Sequence, residues 1–489
     1  MRRSEPAGPP DTLDFRASAR RLTEWIEAYR GSVGDLPVFS RVQPGDIEAA
    51  IPPEAPEEPE DLESILTDLD HTIVPGLTHW NHPGFMAYFS SSASDPGILA
   101  EFVTAALNVN AMLWRTSPAA TELESRMVGW LRGFVGLPDE FQGVIQDTAS
   151  TSTFVALVAA RGRAVPGVRE QGLAGRSALG PCTVYGSRLA HTALDKAAIA
   201  AGLGHANVRH VDVDERYAMR PKALDEALAE DLAAGGLPVM VCATIGTTTC
   251  TSCDPVAEIA DVCAAHDVWL HVDAAYAGPA ASLPELRHLF EGWERADSIV
   301  VNPHKWMSVP IDCSVLLGRG LDEFRGSLAL TPDYLSSDTA ALNLMDVGIA
   351  LGRRFRALKL WFVFRWYGAD GLRQMLRRHC TLAGEFAERI RSDHRFELAA
   401  PVPFSTVCFR ALPPAGISES DWNRRLVAAV NRAGRIFLSH ADLDGRYTIR
   451  LTIGSVHTHR RHVEGAWESL AASLDALGDA TGRPTTKEM

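Results

Sequence analysis

The chain has 489 residues, more than a single hydrophobic core accommodates, so two or three domains are expected. Hydrophobic residues make up 46% and charged residues 22%, the balance of an ordinary globular protein. The net charge of −14 argues against nucleic acid or an anionic membrane as partner, since both select a basic face. No apolar run approaches the roughly 18 residues of a membrane span. No apolar segment follows Arg2 and Arg3, so no secretion signal is expected. Eight cysteines lie scattered, mostly inside apolar patterns such as Val241-Cys242-Ala243, as in a reduced, cytoplasmic protein.

Residues 1–12 are rich in Pro, Gly and charge and predict no order. Phe15, Leu22, Trp25, Ile26 and Tyr29 recur at helical spacing, so 13–31 reads as a helix whose apolar stripe needs a partner. Residues 35–60 are proline-rich and extended, and a helix follows near 61–74. Three histidines, His71, His79 and His82, lack a carboxylate partner, so no metal site is expected. A long helical stretch is predicted over 95–115, and Thr121-Glu122-Leu123-Glu124 opens another helix. Val144-Ile145 then leads into Asp147-Thr148-Ala149-Ser150-Thr151-Ser152 and a helix over 154–163. A hydroxyl-rich turn at a helix start suits a phosphate, because free backbone N–H groups and the positive helix end face the anion.

From 182 to 301 short apolar strands alternate with helices. Strands are predicted at 182–185, 208–211, 239–243, 268–272 and 298–301, with helices at 191–202, 221–234 and 255–266. This alternation predicts a mostly parallel sheet covered by helices on both faces. Two strand ends carry reactive groups: Val268–Val272 runs into Asp273-Ala274-Ala275-Tyr276, and Ser298–Val301 into Asn302-Pro303-His304-Lys305-Trp306. Open α/β sheets bind ligands at such ends. A lysine that can form an imine and a carboxylate that can hold a pyridinium nitrogen are the pair a pyridoxal phosphate (PLP) enzyme needs. Beyond a strand at 313–317, the tail predicts a helix over 372–391, strands at 396–400 and 405–410, a helix over 419–433 and a strand at 447–453.

His271-Val272-Asp273-Ala274-Ala275-Tyr276 followed by Asn302-Pro303-His304-Lys305-Trp306 resembles the group II PLP-dependent amino-acid decarboxylases, above all the aromatic-L-amino-acid decarboxylases. The similarity runs from about Phe15 to the region of Trp467. It implies the type I PLP-dependent transferase fold: an N-terminal helical arm (1–90), a large PLP-binding α/β domain (91–370) and a small C-terminal α/β domain (371–489). It also implies a homodimer with active sites at the subunit interface. Lys305 would carry the cofactor, Asp273 its pyridine nitrogen, and His191 would stack on its ring. Ala149 and Ser150, with Ser91, would surround the phosphate side, Thr248 would stand beside the cofactor, and Asn302 and His304 would complete the cofactor network. Trp80, Tyr88 and Phe89 would line the substrate pocket, joined by Asn110, Met112 and Gly352.

The implied activity is decarboxylation of an L-amino acid, with Tyr334 of a mobile loop (331–339) as proton donor. Relatives with Phe at that position tend to form aldehydes oxidatively, so Tyr334 favours an amine. Gly352 leans toward indoles, whereas polar Asn110 leaves room for a non-aromatic substrate. Arg450, on a C-terminal strand, is a further candidate for a substrate carboxylate. A nicotinamide enzyme is disfavoured because Gly202-Leu203-Gly204 follows a helix and lacks the third glycine.

Overall fold

The structure, a computed structural model, describes residues 14–176, 178–330 and 341–482. Its centre is a sheet of seven strands: β1 (Phe141–Gln146), β2 (Cys182–Ser187), β3 (Val208–Val211), β4 (Leu237–Thr244), β5 (Trp269–Asp273), β6 (Ser298–Val301) and β7 (Ser314–Arg319). Their spatial order is β1-β7-β6-β5-β4-β2-β3. From β3 through β2, β4 and β5 to β6 every pairing is parallel, and β7 runs antiparallel to both β6 and β1. The mostly parallel sheet read from the sequence is therefore present, with β7 inserted against the grain.

The strands are apolar on both faces because helices cover both. Val241, Ala243, Leu270, Val272, Val315 and Leu317 point to one core, whereas Met240, Cys242, Trp269 and Leu316 point to the other. This is the period-two alternation of a pleated strand applied to a sheet with no wet face. Helices Pro118–Val135 and Val256–His266 pack on the first face, and helices Ala149–Ala164 and Ala193–Ala200 on the second.

A second, antiparallel sheet is formed by β8 (Phe396–Leu398), β9 (Thr406–Ala411), β10 (Ser439–Leu443) and β11 (Arg446–Thr452), in the order β10-β11-β9-β8. Helices Glu419–Ala433 and Arg460–Gly482 pack on it. Helix Ala357–Ser392 connects the two sheets and is interrupted at Gly368, whose φ of +65° suits glycine. The segment 84–87 docks on the second sheet, where Met86 N donates to Phe437 O and Thr452 N to Met86 O.

Two helix boundaries and one strand are among the departures from the sequence reading. The helix expected over 95–115 ends at Leu107, because Asn108 takes a left-handed conformation (φ +41°) that caps it. The helix expected from 154 begins at Ala149, with the Thr148 side chain accepting from Thr151 N. Strand β10 was not expected: its Ser-His-Ala-Asp run lies at a sheet edge, where apolar alternation is not required.

Candidate active site

Every element that carries a candidate cofactor residue in the large sheet delivers it at the C-terminal end of a parallel strand. Asp273 closes β5, Asn302–Lys305 follows β6, Thr248 follows β4, His191 follows β2, and Ala149 and Ser150 follow β1. Parallel strands align these ends into one crevice.

Lys305 lies on the connection between β6 and β7, two strands bonded directly to each other. The connection is fixed at several points: Asn302 N donates to Ala275 O (3.0 Å), Lys305 N to Asn302 O (3.0 Å), and Cys313 N to His304 Nδ1 (2.9 Å). Burial lowers the Lys305 pKa, favouring the neutral amine that can attack a carbonyl, while Asp273 pulls in the opposite direction. The Asp273 carboxylate accepts from Ala275 N at 3.0 Å, which orients it.

Beneath Lys305 stands a column of rings. Its Nζ is 5.4 Å from the centre of Phe89, which stacks on Tyr276 (3.7 Å), which in turn stacks on Trp306 (4.7 Å). Phe89 is buried, so it meets the crevice as floor rather than as an open wall. Arg450 lies over the same ring at 5.4 Å. Its Nε donates to Thr249 O (2.8 Å) and its Nη1 to Ser439 Oγ (3.0 Å), and its buried Nη2 has no partner among the described residues. A buried guanidinium with a spare donor, without a carboxylate in those bonds, suits an anionic group of a ligand.

His191 faces the open cleft, yet the protein packed around it disfavours the imidazolium and lowers its pKa; Lys305 and Lys196 act the same way and Asp273 opposes them. Its Nδ1 accepts from Ala193 N (3.1 Å), so the neutral ring carries its proton on Nε2. Burial pushes His304 down to about 4. Because His304 Nδ1 accepts from Cys313, its proton is also on Nε2, 3.3 Å from the Asn302 amide. That contact is a hydrogen bond only with Asn302 Oδ1 facing Nε2, which frees the Asn302 NH2 as a donor.

The described geometry accommodates PLP. Ala149 and Ser150 open a 16-residue helix whose first amides have no intrahelical acceptor. Half-buried Ser91 neighbours Ser90, whose buried hydroxyl lacks a partner among the described residues, and half-buried Thr248 sits in the turn after β4. Unspent donors, one lysine and one carboxylate at a dry floor form the donor set of a phosphorylated pyridine aldehyde.

Trp80 and Tyr88 form an exposed aromatic wall, with rings 6.0 Å apart. Phe85 and Phe437 back it, at 4.3 Å from Trp80 and 6.1 Å from Tyr88 respectively. Phe437 was missed in the sequence because Ile436-Phe437-Leu438 is indistinguishable from an ordinary core run. Asn110, Met112 and Gly352 form a separate cluster: Asn110 Oδ1 accepts from Arg353 N (2.9 Å), and its Nδ2 lies 3.4 Å from Met112 Sδ. Tyr334 lies outside the described residues.

The parallel sheet, the lysine after β6 and the carboxylate closing β5 define a PLP enzyme of the type I fold. Residues 44–412 match the pyridoxal-dependent decarboxylase conserved domain, and the chain belongs to that family. It is a PLP-dependent amino-acid decarboxylase. It is 40% identical to tryptophan decarboxylase 2 of Oryza sativa subsp. japonica, over 94% of this chain and 95% of the relative. Identity to phenylacetaldehyde synthase of Arabidopsis thaliana is 39%, over 96% and 97% of the two chains. The structure of Oryza sativa TDC with PLP and tryptamine superimposes with a TM-score of 0.92 at 35% identity, covering 96% of this chain and 100% of that one. Among the described residues no helix is long and apolar enough to cross a membrane.

Proposed function

We propose that the chain decarboxylates an L-amino acid with an aromatic side chain to the corresponding amine and CO2. The observation that carries this reading is the wall of Trp80 and Tyr88, adjoining Phe89 under Lys305. Flat rings select a flat apolar side chain by stacking and burial. The relatedness to a tryptophan decarboxylase and to a phenylacetaldehyde synthase supports the same substrate class.

Bound PLP supplies an electron sink for the carbon that loses CO2. Lys305 would hold it covalently through Nζ, and the Asp273 carboxylate would keep its ring nitrogen protonated. The His191 imidazole would cover the ring, and the amides of Ala149 and Ser150, with the hydroxyls of Ser91 and Thr248, would take the phosphate. The freed Asn302 amide and neutral His304 would complete the polar contacts on the cofactor side. Arg450 Nη2 would orient an anionic group over Phe89. The Tyr334 phenol would return a proton to the α carbon in place of CO2.

The working unit in this reading is a homodimer. Leu99, Phe102, Val103 and Leu107 lie exposed along one side of helix Asp95–Leu107, a stripe that a second subunit would cover. Helix Phe15–Ser32 buries none of its residues within its own chain, as suits an arm for a partner. All eight cysteines are free, which supports a reducing, cytoplasmic setting.

The test is a product assay. Purified protein with PLP receives a mixture of L-amino acids including DOPA and 5-hydroxytryptophan, in air, with mass-spectrometric detection. An aromatic amine is expected. A non-aromatic amine would overturn the substrate class, and aldehyde with peroxide would overturn the role given to Tyr334. The relatedness to an aldehyde-forming synthase makes that second outcome the rival reading.

A further inference from the structure

Three donor groups converge on the second face of the large sheet, among residues with no part in the cofactor site above. Asp195 projects from the first turn of helix Ala193–Ala200. The chain leaves that helix through Gly202 and Gly204, both at positive φ (+79° and +88°), and turns back on itself. His205 opens the following 3-10 turn, and His210 lies on the edge strand β3. His205 Nε2 is 3.2 Å and His210 Nε2 3.3 Å from the same oxygen, Asp195 Oδ1. All three donor atoms lie within 4.8 Å of one another.

We propose that Asp195, His205 and His210 bind a divalent first-row transition metal, zinc foremost, with solvent in the fourth position. Zinc holds imidazole nitrogen and carboxylate oxygen at about 2.0–2.1 Å in a tetrahedron, whose ligand-to-ligand edges are then about 3.3–3.4 Å. Two of the three edges, 3.2 and 3.3 Å, are already close to that length. One nitrogen from each of two imidazoles, with one carboxylate oxygen, suits zinc or copper and does not suit calcium or magnesium, which need oxygen shells.

The backbone presets the arrangement. Leu203 N donates to Ala198 O at 2.9 Å and Asn207 Nδ2 to Leu203 O at 2.7 Å, which fixes the turn that returns His205. β3 pairs in parallel with β2, placing His210 opposite Gly186. Strand alternation sends the neighbouring Arg209 to the other side, where it pairs with Asp231. The partially exposed histidines leave a path for the ion, while Asp195 is largely covered. The three ligands come from a helix, a turn and an edge strand, so the ion would clip the start of helix Ala193–Ala200 to the rim of the sheet.

The experiment is a zinc titration of the PLP-loaded enzyme, first stripped with a chelator, against a chromophoric competitor. It is run on the native chain and on H205Q, H210Q and the H205Q/H210Q double variant. The native chain should bind one equivalent more than the double variant, and each single variant should bind at least ten-fold more weakly at that site. Cobalt substituted for zinc should give the visible bands of a tetrahedral complex, absent in the double variant. Equal stoichiometry and affinity across all four proteins, or an octahedral cobalt spectrum, would overturn the proposal. The substitutions alter exposed side chains, and circular dichroism checks that each variant is folded.

Discussion

Replacing Arg353 by methionine exposes how the site is braced. Arg353 Nη2 lies 2.7 Å from Glu124 Oε1, and both side chains are almost fully buried, at 2% and 1% exposure. The same Nη2 donates to Ile145 O (2.9 Å), and Ile145 N donates to Glu124 Oε1 (2.8 Å). The triad therefore joins the segment after residue 340 to the end of β1, the strand that leads into the Ala149–Ala164 helix. Arg353→Met leaves the Glu124 carboxylate buried with one N–H donor, and breaking such a pair costs about 3–5 kcal/mol. Glu124→Gln in the same chain removes the stranded charge and keeps an acceptor for Ile145 N. What remains is the loss of the arginine's hydrogen bonds, about 1–2 kcal/mol. Urea unfolding followed by tryptophan fluorescence should place Arg353→Met well below the native midpoint, with the double variant recovering at least half of the difference. A double variant as unstable as Arg353→Met would refute the reasoning, because the loss would then not come from an unpaired buried carboxylate.

Two further outcomes follow from the site. Asp273→Asn should lower amine formation by about 10²–10³-fold, the usual cost of removing one preorganised electrostatic group; a near-native rate, with PLP retained by absorbance, would exclude the role given to this carboxylate. Burial pushes His379 down to about 3, and His271 and His304 to about 4, so all three fold uncharged. Unfolded histidines titrate near 6.5, so stability is complete above about pH 6.5 and falls as pH drops toward 4. Trp306 Nε1 donates to His379 Nδ1 at 3.0 Å, and glutamine can replace that acceptor. His379→Gln should therefore flatten the stability slope near pH 5.5 by about 1.2 kcal/mol per pH unit; an unchanged slope would refute it.

The large sheet was legible because β4 and β5 are apolar on both faces, a run that a parallel core strand demands and a surface strand does not. Asp273 and Lys305 were legible because one closes an apolar strand and the other stands in the short segment after one. The antiparallel insertion of β7 was not, since a strand's direction leaves no mark on its composition. Nor was the arrangement around Arg450: its neighbours Thr249, Ser439 and Phe89 come from three distant parts of the chain. The cluster of Asp195, His205 and His210 has no motif spacing, and only the turn through Gly202 and Gly204 brings it together. Phe89 was read with Trp80 and Tyr88 as lining the pocket, and its place in the ring column was not legible because it depends on Tyr276.

The order of strands also dictates when the site can exist during synthesis. β1 bonds to β7 with Gln146 opposite Ser314, so the strand leading to the Ala149–Ala164 helix has no sheet neighbour until more than half of the chain has been made. Until then β1 is an unpaired apolar edge, open to pairing with other nascent chains. The β6–β7 pairing closes over a short connection, with Val301 opposite Val315, and forms quickly. The hairpin that carries the lysine is thus complete before β1, which waits on β7, can dock.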